Sequence, residues 1–186
     1  MEILIPSKFA TDRNNVLNEL YEMRDEIQNR DIFVPEYNSD LDFYSSMGFN
    51  CYCYAMQFTK HLTSEEKKDY PFYEPGFLSG EFTRQTDNEK MIRAFLADCD
   101  FLGINAKEVS CEEISQSDAY KISIYIQTEF LSDENPSTPK FHLIRQNSDS
   151  SWSHKEGWFR NPERTMNAFK RKSLTRIKTY EISRRK

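Results

Sequence analysis

Between residues 120 and 127 apolar and polar side chains alternate without interruption: Tyr120, Ile122, Ile124 and Ile126 fall on one parity, Lys121, Ser123, Tyr125 and Gln127 on the other. A period of two is what a strand with two different faces requires, whereas a helix of 3.6 residues per turn would scatter the same residues around its axis. The segment commits the second half of the chain to a sheet. Residues 141–146 and 151–155 flank the turn-forming run Asn147-Ser148-Asp149-Ser150 and are expected to make a hairpin beside it. With the turn centred on Asp149, Gln146 faces Trp152 and Ile144 faces His154. Residues 174–182 read as a further strand, and residues 167–172 fit a helix equally well.

The first half follows a different period. Val16, Leu17, Leu20, Met23 and Ile27 recur at helical spacing behind Thr11 and Asp12, either of which can cap the helix. Residues 31–49 carry Pro35, Ser45, Ser46 and Gly48 without a steady period and read as a long loop. Asn50 then caps a second helix over about 51–61. Residues 70–80 form an aromatic loop rich in Pro and Gly, and Met91, Ile92, Phe95, Leu96 and Cys99 line a third helix over 87–101 with Gly103 past its end. Helices first and antiparallel strands later predict an α+β domain. A length of 186 residues fits one domain, with residues 1–40 as an N-terminal helical segment packed on the core and residues 41–186 as the main unit with its C-terminal tail.

Composition removes several function classes. There are only 5 Gly in the chain, and neither G-x-G-x-x-G nor G-x-x-x-x-G-K occurs, so no nucleotide cofactor is expected, nor any other cofactor. No apolar run approaches the roughly 18 residues that span a bilayer, and the opening Met-Glu-Ile-Leu-Ile-Pro lacks the basic and apolar regions of a secretory signal. The expected location is therefore cytoplasmic, or outside the cell by a route that uses no Sec signal, as for an injected effector. The 4 Cys are sparse for this length and are expected to be free thiols. Charge is unevenly divided: residues 160–186 hold ten Lys/Arg against two acids, a net of +8, which leaves −13 on residues 1–159 of a chain whose total is −5. Such a tail suits an acidic partner or the chain's own acidic body.

With only 3 His, a histidine-dependent site has few possible members: His61, His142 and His154. Cys51 falls at the first turn of the second helix, where backbone N–H groups and the positive end of the helix dipole favour a thiolate. A thiolate nucleophile needs an imidazole partner and a third polar group to orient that imidazole. In the hairpin register His142 and His154 share one face, one diagonal step apart, so His142 serves as base and His154 as its support, with Glu156 and Asp149 as rival orienting groups. His61 reads as a surface residue, Trp152, Trp158 and Cys99 as packing. Cys51, Cys53, His142 and His154 also make up the inventory of a structural zinc site, but Cys-x-Cys on a helix does not converge on one ion, and no metal is expected.

The residues Asn50-Cys51-Tyr52-Cys53-Tyr54-Ala55 resemble the start of the nucleophile helix in papain-like cysteine peptidases and amidases, particularly the CHAP-type and NlpC-type cell-wall enzymes. Phe141-His142-Leu143-Ile144-Arg145-Gln146 and Trp152-Ser153-His154-Lys155 resemble the strand pair that carries their base and third residue, and the step from His142 to His154 is similar to theirs. A closer likeness is to a group of small bacterial proteins with an Asn-Cys-Tyr-x-Tyr-Ala start, a Pro-Gly-x-x-Ser-Gly loop, here Pro75 to Gly80, and a His-x-x-Arg-Gln-x-Ser-Asp-x-x-Trp-Ser-His-Lys-x-Gly run, here His142 to Gly157. The likeness spans roughly residues 45–160. Cys53-Tyr54-Ala55 offers a second alignment of the nucleophile, but Cys51 follows the cap residue. No upstream Gln matches the papain oxyanion donor; the Cys51 N–H with Tyr44 or Asn50 are the candidates here.

The resemblance implies a papain-like fold and a cysteine hydrolase or acyltransferase acting on a peptide, amide or isopeptide bond of a peptide or protein substrate, with Cys51, His142 and His154 as the triad. The alternative is a papain-fold interaction module without catalysis, holding a partner through its aromatic loop and basic tail.

Overall fold

The computed structural model describes residues 13–31, 33–38, 50–58, 74–80, 88–127, 141–156, 161–166 and 174–185. The elements in chain order are α1 (Arg13–Asn29), α2 (Cys51–Ala55), α3 (Asn88–Phe101), β1 (Ile104–Glu108), β2 (Ala119–Gln127), β3 (Phe141–Gln146), β4 (Trp152–Lys155), β5 (Pro162–Thr165) and β6 (Leu174–Arg184). Among the described residues six strands form one sheet in the order β1-β6-β2-β3-β4-β5, every neighbouring pair antiparallel. The architecture is α+β, as the change of period predicts. Among the described residues no helix is long and apolar enough to cross a membrane.

The pleat divides the sheet into two environments. Tyr120, Ile122, Ile124 and Ile126 of β2 join Leu143 of β3 and Tyr180 and Ile182 of β6 on the face that the helices cover. Against it pack Leu20, Met23 and Ile27 from α1, Tyr52, Cys53 and Ala55 from α2, and Met91, Phe95 and Cys99 from α3. Burying a ring such as Phe95 contributes about 1.5–3 kcal/mol, so this face supplies most of the drive to fold. The opposite face gathers Cys111, Tyr125, Ile144 and Trp152 into a smaller cluster. There the buried Lys121 ammonium donates to the carbonyls of Cys111 and Glu113, fastening the loop that precedes β2.

Helix α3 stops at Gly103, whose φ of +67° suits glycine. A Cβ at that position would also fall 2.0 Å from Gln28 Nε2, which donates to the Leu102 carbonyl at 2.8 Å and ties α1 to the end of α3. The second helix ends sooner than its sequence predicts. Gln57 takes φ +59°, Phe58 N–H returns to Cys53 O at 3.0 Å and Gln57 N–H to Tyr54 O at 3.2 Å, the pattern of a Schellman cap. Arg30 donates to the Gln57 side chain and carbonyl, holding this left-handed turn from outside the helix. His61 lies outside the described residues, as do Tyr44, Gly157 and Trp158.

The hairpin register is the expected one: Gln146 pairs with Trp152 and Ile144 with His154. Two strands escape the sequence patterns. β1 buries only Ile104 fully, and β5 begins at Pro162; among the described residues both are edge strands, where alternation is weak and proline is tolerated. The C-terminal segment is a long strand inserted between β1 and β2. Its cations meet acids of the body: Lys178 pairs with Glu108, Arg185 with Asp100, and Arg184 approaches Asp118 at 3.9 Å. Exposed pairs of this kind contribute about 0–1 kcal/mol each, so burial of Tyr180 and Ile182, not charge, seats the strand.

Candidate active site

Cys51 opens α2. The Asn50 side chain accepts the Cys53 N–H at 3.0 Å, and its carbonyl accepts the Tyr54 N–H at 3.1 Å, so the cap read from the sequence is formed. A five-residue helix is too short to hold itself, and contacts to the sheet and to α3 fix it. Arg145 of β3 donates to the Tyr54 carbonyl at 2.7 Å and to the Glu36 carbonyl at 3.2 Å, with its guanidinium 3.8 Å from the centre of the Tyr54 ring. The Tyr54 hydroxyl is 2.8 Å from Ser153 Oγ of β4, which donates onward to Asn147 Oδ1 at 3.0 Å. Behind α2, the Tyr52 hydroxyl donates to Asp98 Oδ2 at 2.6 Å.

Asp98 is a fully buried carboxylate on the apolar side of α3. It also accepts the Gly76 N–H at 2.8 Å and the Ser79 N–H at 2.8 Å, so the Pro75–Gly80 loop, α3 and α2 meet on one side chain. Burial raises its pKa from 3.8 to about 6, with the hydrogen bonds from Tyr52, Ser79 and Gly76 working in the opposite direction. Its signal in the sequence is its place three residues after Phe95, on the buried stripe; what it lacks there is any sign of partners.

His142 and His154 meet as their parity predicts. Nε2 of His142 lies 3.0 Å from Nδ1 of His154, and the two rings are at 78°. Both are nearly inaccessible, at 5% and 7% exposure. They stand on the sheet face of Tyr125 and Ile144, because His142 pairs with Tyr125 and His154 with Ile144. Helix α2 packs on the other face, over Leu143, Arg145 and Ser153. Cys51 reaches the histidines' strand at its backbone: the thiol lies against the N–H of Leu143, the residue after His142, and against the Tyr52 and Cys51 N–H groups. Asp149, one of the rival orienting groups, is at the exposed turn, paired with Arg164 at 2.8 Å, and Ser151 and Arg164 hold its carboxyl down to about 2.

The thiol is not activated at rest. Burial pushes Cys51 from 9.0 up to about 11, and the N–H groups of Leu143, Tyr52 and Cys51 together with the Lys155 charge only partly offset it. The expectation of a lowered pKa fails because a single short turn supplies little dipole while the side chain is almost fully removed from water. Cys53 points into the core and burial raises it further. All four cysteines are free and buried. Among the described residues no group of three or more His, Cys, Asp or Glu gathers as a metal site.

Three residues around α2 were not singled out by the chemistry of the sequence: Arg145, Asp98 and Lys155. Each is a charged group at a buried position of a strand or helix, a pattern that marks it only once burial is known. Compared with family models, with curated proteins and with solved structures, the chain matches none of them.

Proposed function

We propose that the chain is a papain-like cysteine hydrolase or acyltransferase acting on a peptide, amide or isopeptide bond, with Cys51 as nucleophile, His142 as proton carrier and His154 as its orienting partner. The observation that carries this reading is the 3.0 Å contact between His142 Nε2 and His154 Nδ1, one residue along the strand from the N–H that meets the Cys51 thiol. With His154 Nδ1 as acceptor, His142 carries its proton on Nε2, and Nδ1 is the nitrogen that can take the thiol proton. That is the tautomer acyl transfer needs.

The resting thiol is protonated and His142 stands on the opposite face of β3, so in this reading the His142 ring has to turn past the strand towards α2 before it takes the Cys51 proton as sulfur attacks the carbonyl carbon. The oxyanion then gathers at the Cys51 N–H, and imidazolium His142 returns the proton to the leaving amine. Water or a second amine attacks the thioester in the same way and frees the enzyme. The basic C-terminal strand, paired with its own acidic residues, is not needed in this scheme.

Iodoacetamide labelling of the native protein near neutral pH tests the reading. Cys51 should react faster than Cys99 and Cys111, and His142→Ala should remove the preference. The burial of Cys51 and its raised pKa favour the second reading, a papain-fold interaction module without catalysis; equal, slow labelling of all four thiols would establish that one instead.

A further inference from the structure

Lys155 ends β4 with its side chain at 0% exposure, an unusual place for an ammonium. The β3–β4 ladder runs from Gln146↔Trp152 to Ile144↔His154, and one step further sets Leu143 across from Lys155. Leu143 is the residue whose N–H meets the Cys51 thiol. The pleat puts Lys155 on the same side of β4 as Ser153, whose Oγ is 2.8 Å from the Tyr54 hydroxyl, hence on the side that α2 covers. His154, between them, points to the other face with His142. The thiol and the ammonium thus enter the same gap between the ends of β3 and β4, from the same face.

We infer that Lys155 is a positioning residue for Cys51: its buried ammonium, set across from Leu143 beneath α2, holds the negative charge of the thiolate at the strand. The inference rests on Cys51 being the nucleophile, as proposed above. A cation beside a nucleophilic thiol favours the thiolate over the thiol. Electrostatics agree with the placement. Burial lowers Lys155 from 10.5 to about 8; a thiolate at Cys53 or Cys51 would work against that lowering, and the Lys155 charge in turn lowers both thiols. Among the described residues of α2 and β3–β5, the Tyr54 hydroxyl, Arg145 and Arg164 are on this side, while His142, His154 and Glu163 fall on the opposite face.

A cation so placed changes the shape of a pH profile, which a purely structural lysine does not. Below about pH 8 each unit of pH gives ten times more thiolate. Above it the next proton leaves Lys155, and the reactive ammonium–thiolate form stops accumulating. The rate constant for Cys51 with iodoacetamide, read by mass spectrometry of its peptide from pH 6 to 10, should therefore rise and then level near pH 8 in the native chain. In Lys155→Met it should be at least about tenfold lower at pH 7, one pKa unit of lost stabilisation, and rise without a break; Lys155→Arg should keep most of the native rate at pH 7. A Met variant whose rate and profile match the native ones overturns the inference and leaves Cys51 as nucleophile. If Lys155→Met does not fold, by circular dichroism, the native profile decides: the absence of a break between pH 7 and 9 overturns the inference. Native Cys51 no faster than Cys99 and Cys111 removes the nucleophile reading itself, and this inference with it.

Discussion

Replacing Tyr52 by Phe removes one oxygen from the core and no carbon, so it isolates a single hydrogen bond: the 2.6 Å contact from the Tyr52 hydroxyl to Asp98 Oδ2. Both groups are fully buried, and water has no access to replace the lost donor. While Asp98 is ionised the bond is charge-assisted and contributes about 1.5–3 kcal/mol; once the carboxyl is protonated the figure falls to about 0.5–1.5 kcal/mol. Asp98 changes state near pH 6, because burial has raised it from 3.8. The folded value lies above the unfolded one, so this group's contribution to stability is complete below pH 3.8 and fades as the pH rises through about 6, a loss of about 3 kcal/mol for two pKa units. The Tyr52 hydroxyl limits that loss, and it does so only where Asp98 is charged. Tyr52→Phe should then cost about 2 kcal/mol at pH 7.5 and about 1 kcal/mol at pH 5, which for a chain of this length is about 4–8 °C and about 2–4 °C in Tm. Thermal unfolding followed by circular dichroism at the two pH values measures both. A variant that melts with the native protein at pH 7.5, or that loses more at pH 5, would refute the account of Asp98 as the charged hub joining the Pro75–Gly80 loop to α2.

Two further substitutions test the supports of the site. Arg145→Lys keeps the charge but loses the paired donors to Tyr54 O and Glu36 O and the stacking on the Tyr54 ring; urea unfolding should show a loss of about 2–4 kcal/mol. Gly103→Ala places a methyl in a left-handed residue and against Gln28 Nε2, and should cost about 1–2 kcal/mol or more, with Gln28→Ala in the same chain recovering only the steric part, as measured by the shift in urea midpoint.

Local chemistry explains why some of the molecule was legible. Asn50 caps α2 because its partner, the Cys53 N–H, is three residues away, and the β3–β4 register follows from a short turn whose residues demand it. The shared face of His142 and His154 follows from that register alone. The end of α2 was not legible, since Gln57 adopts its left-handed conformation under the hold of Arg30 and through its own bond to the Phe33 carbonyl. Asp98 and Lys155 were not, because a charged residue on a buried stripe looks like a flaw in the pattern until its distant partners are in place.

Sequence periodicity and turn chemistry thus determined the class, the helical first half, the hairpin and the facing histidines, since these depend on contacts within a few residues. Only the tertiary structure decided that the basic C-terminal segment is an inner strand between β1 and β2, that α2 lies on the face opposite the histidine pair, and that Cys51 meets the sheet through the Leu143 N–H beside Lys155. Those outcomes turn on which of two sheet faces a helix covers and which strands become neighbours. Period and parity are equally satisfied by either choice; burial of the whole set of apolar side chains selects one.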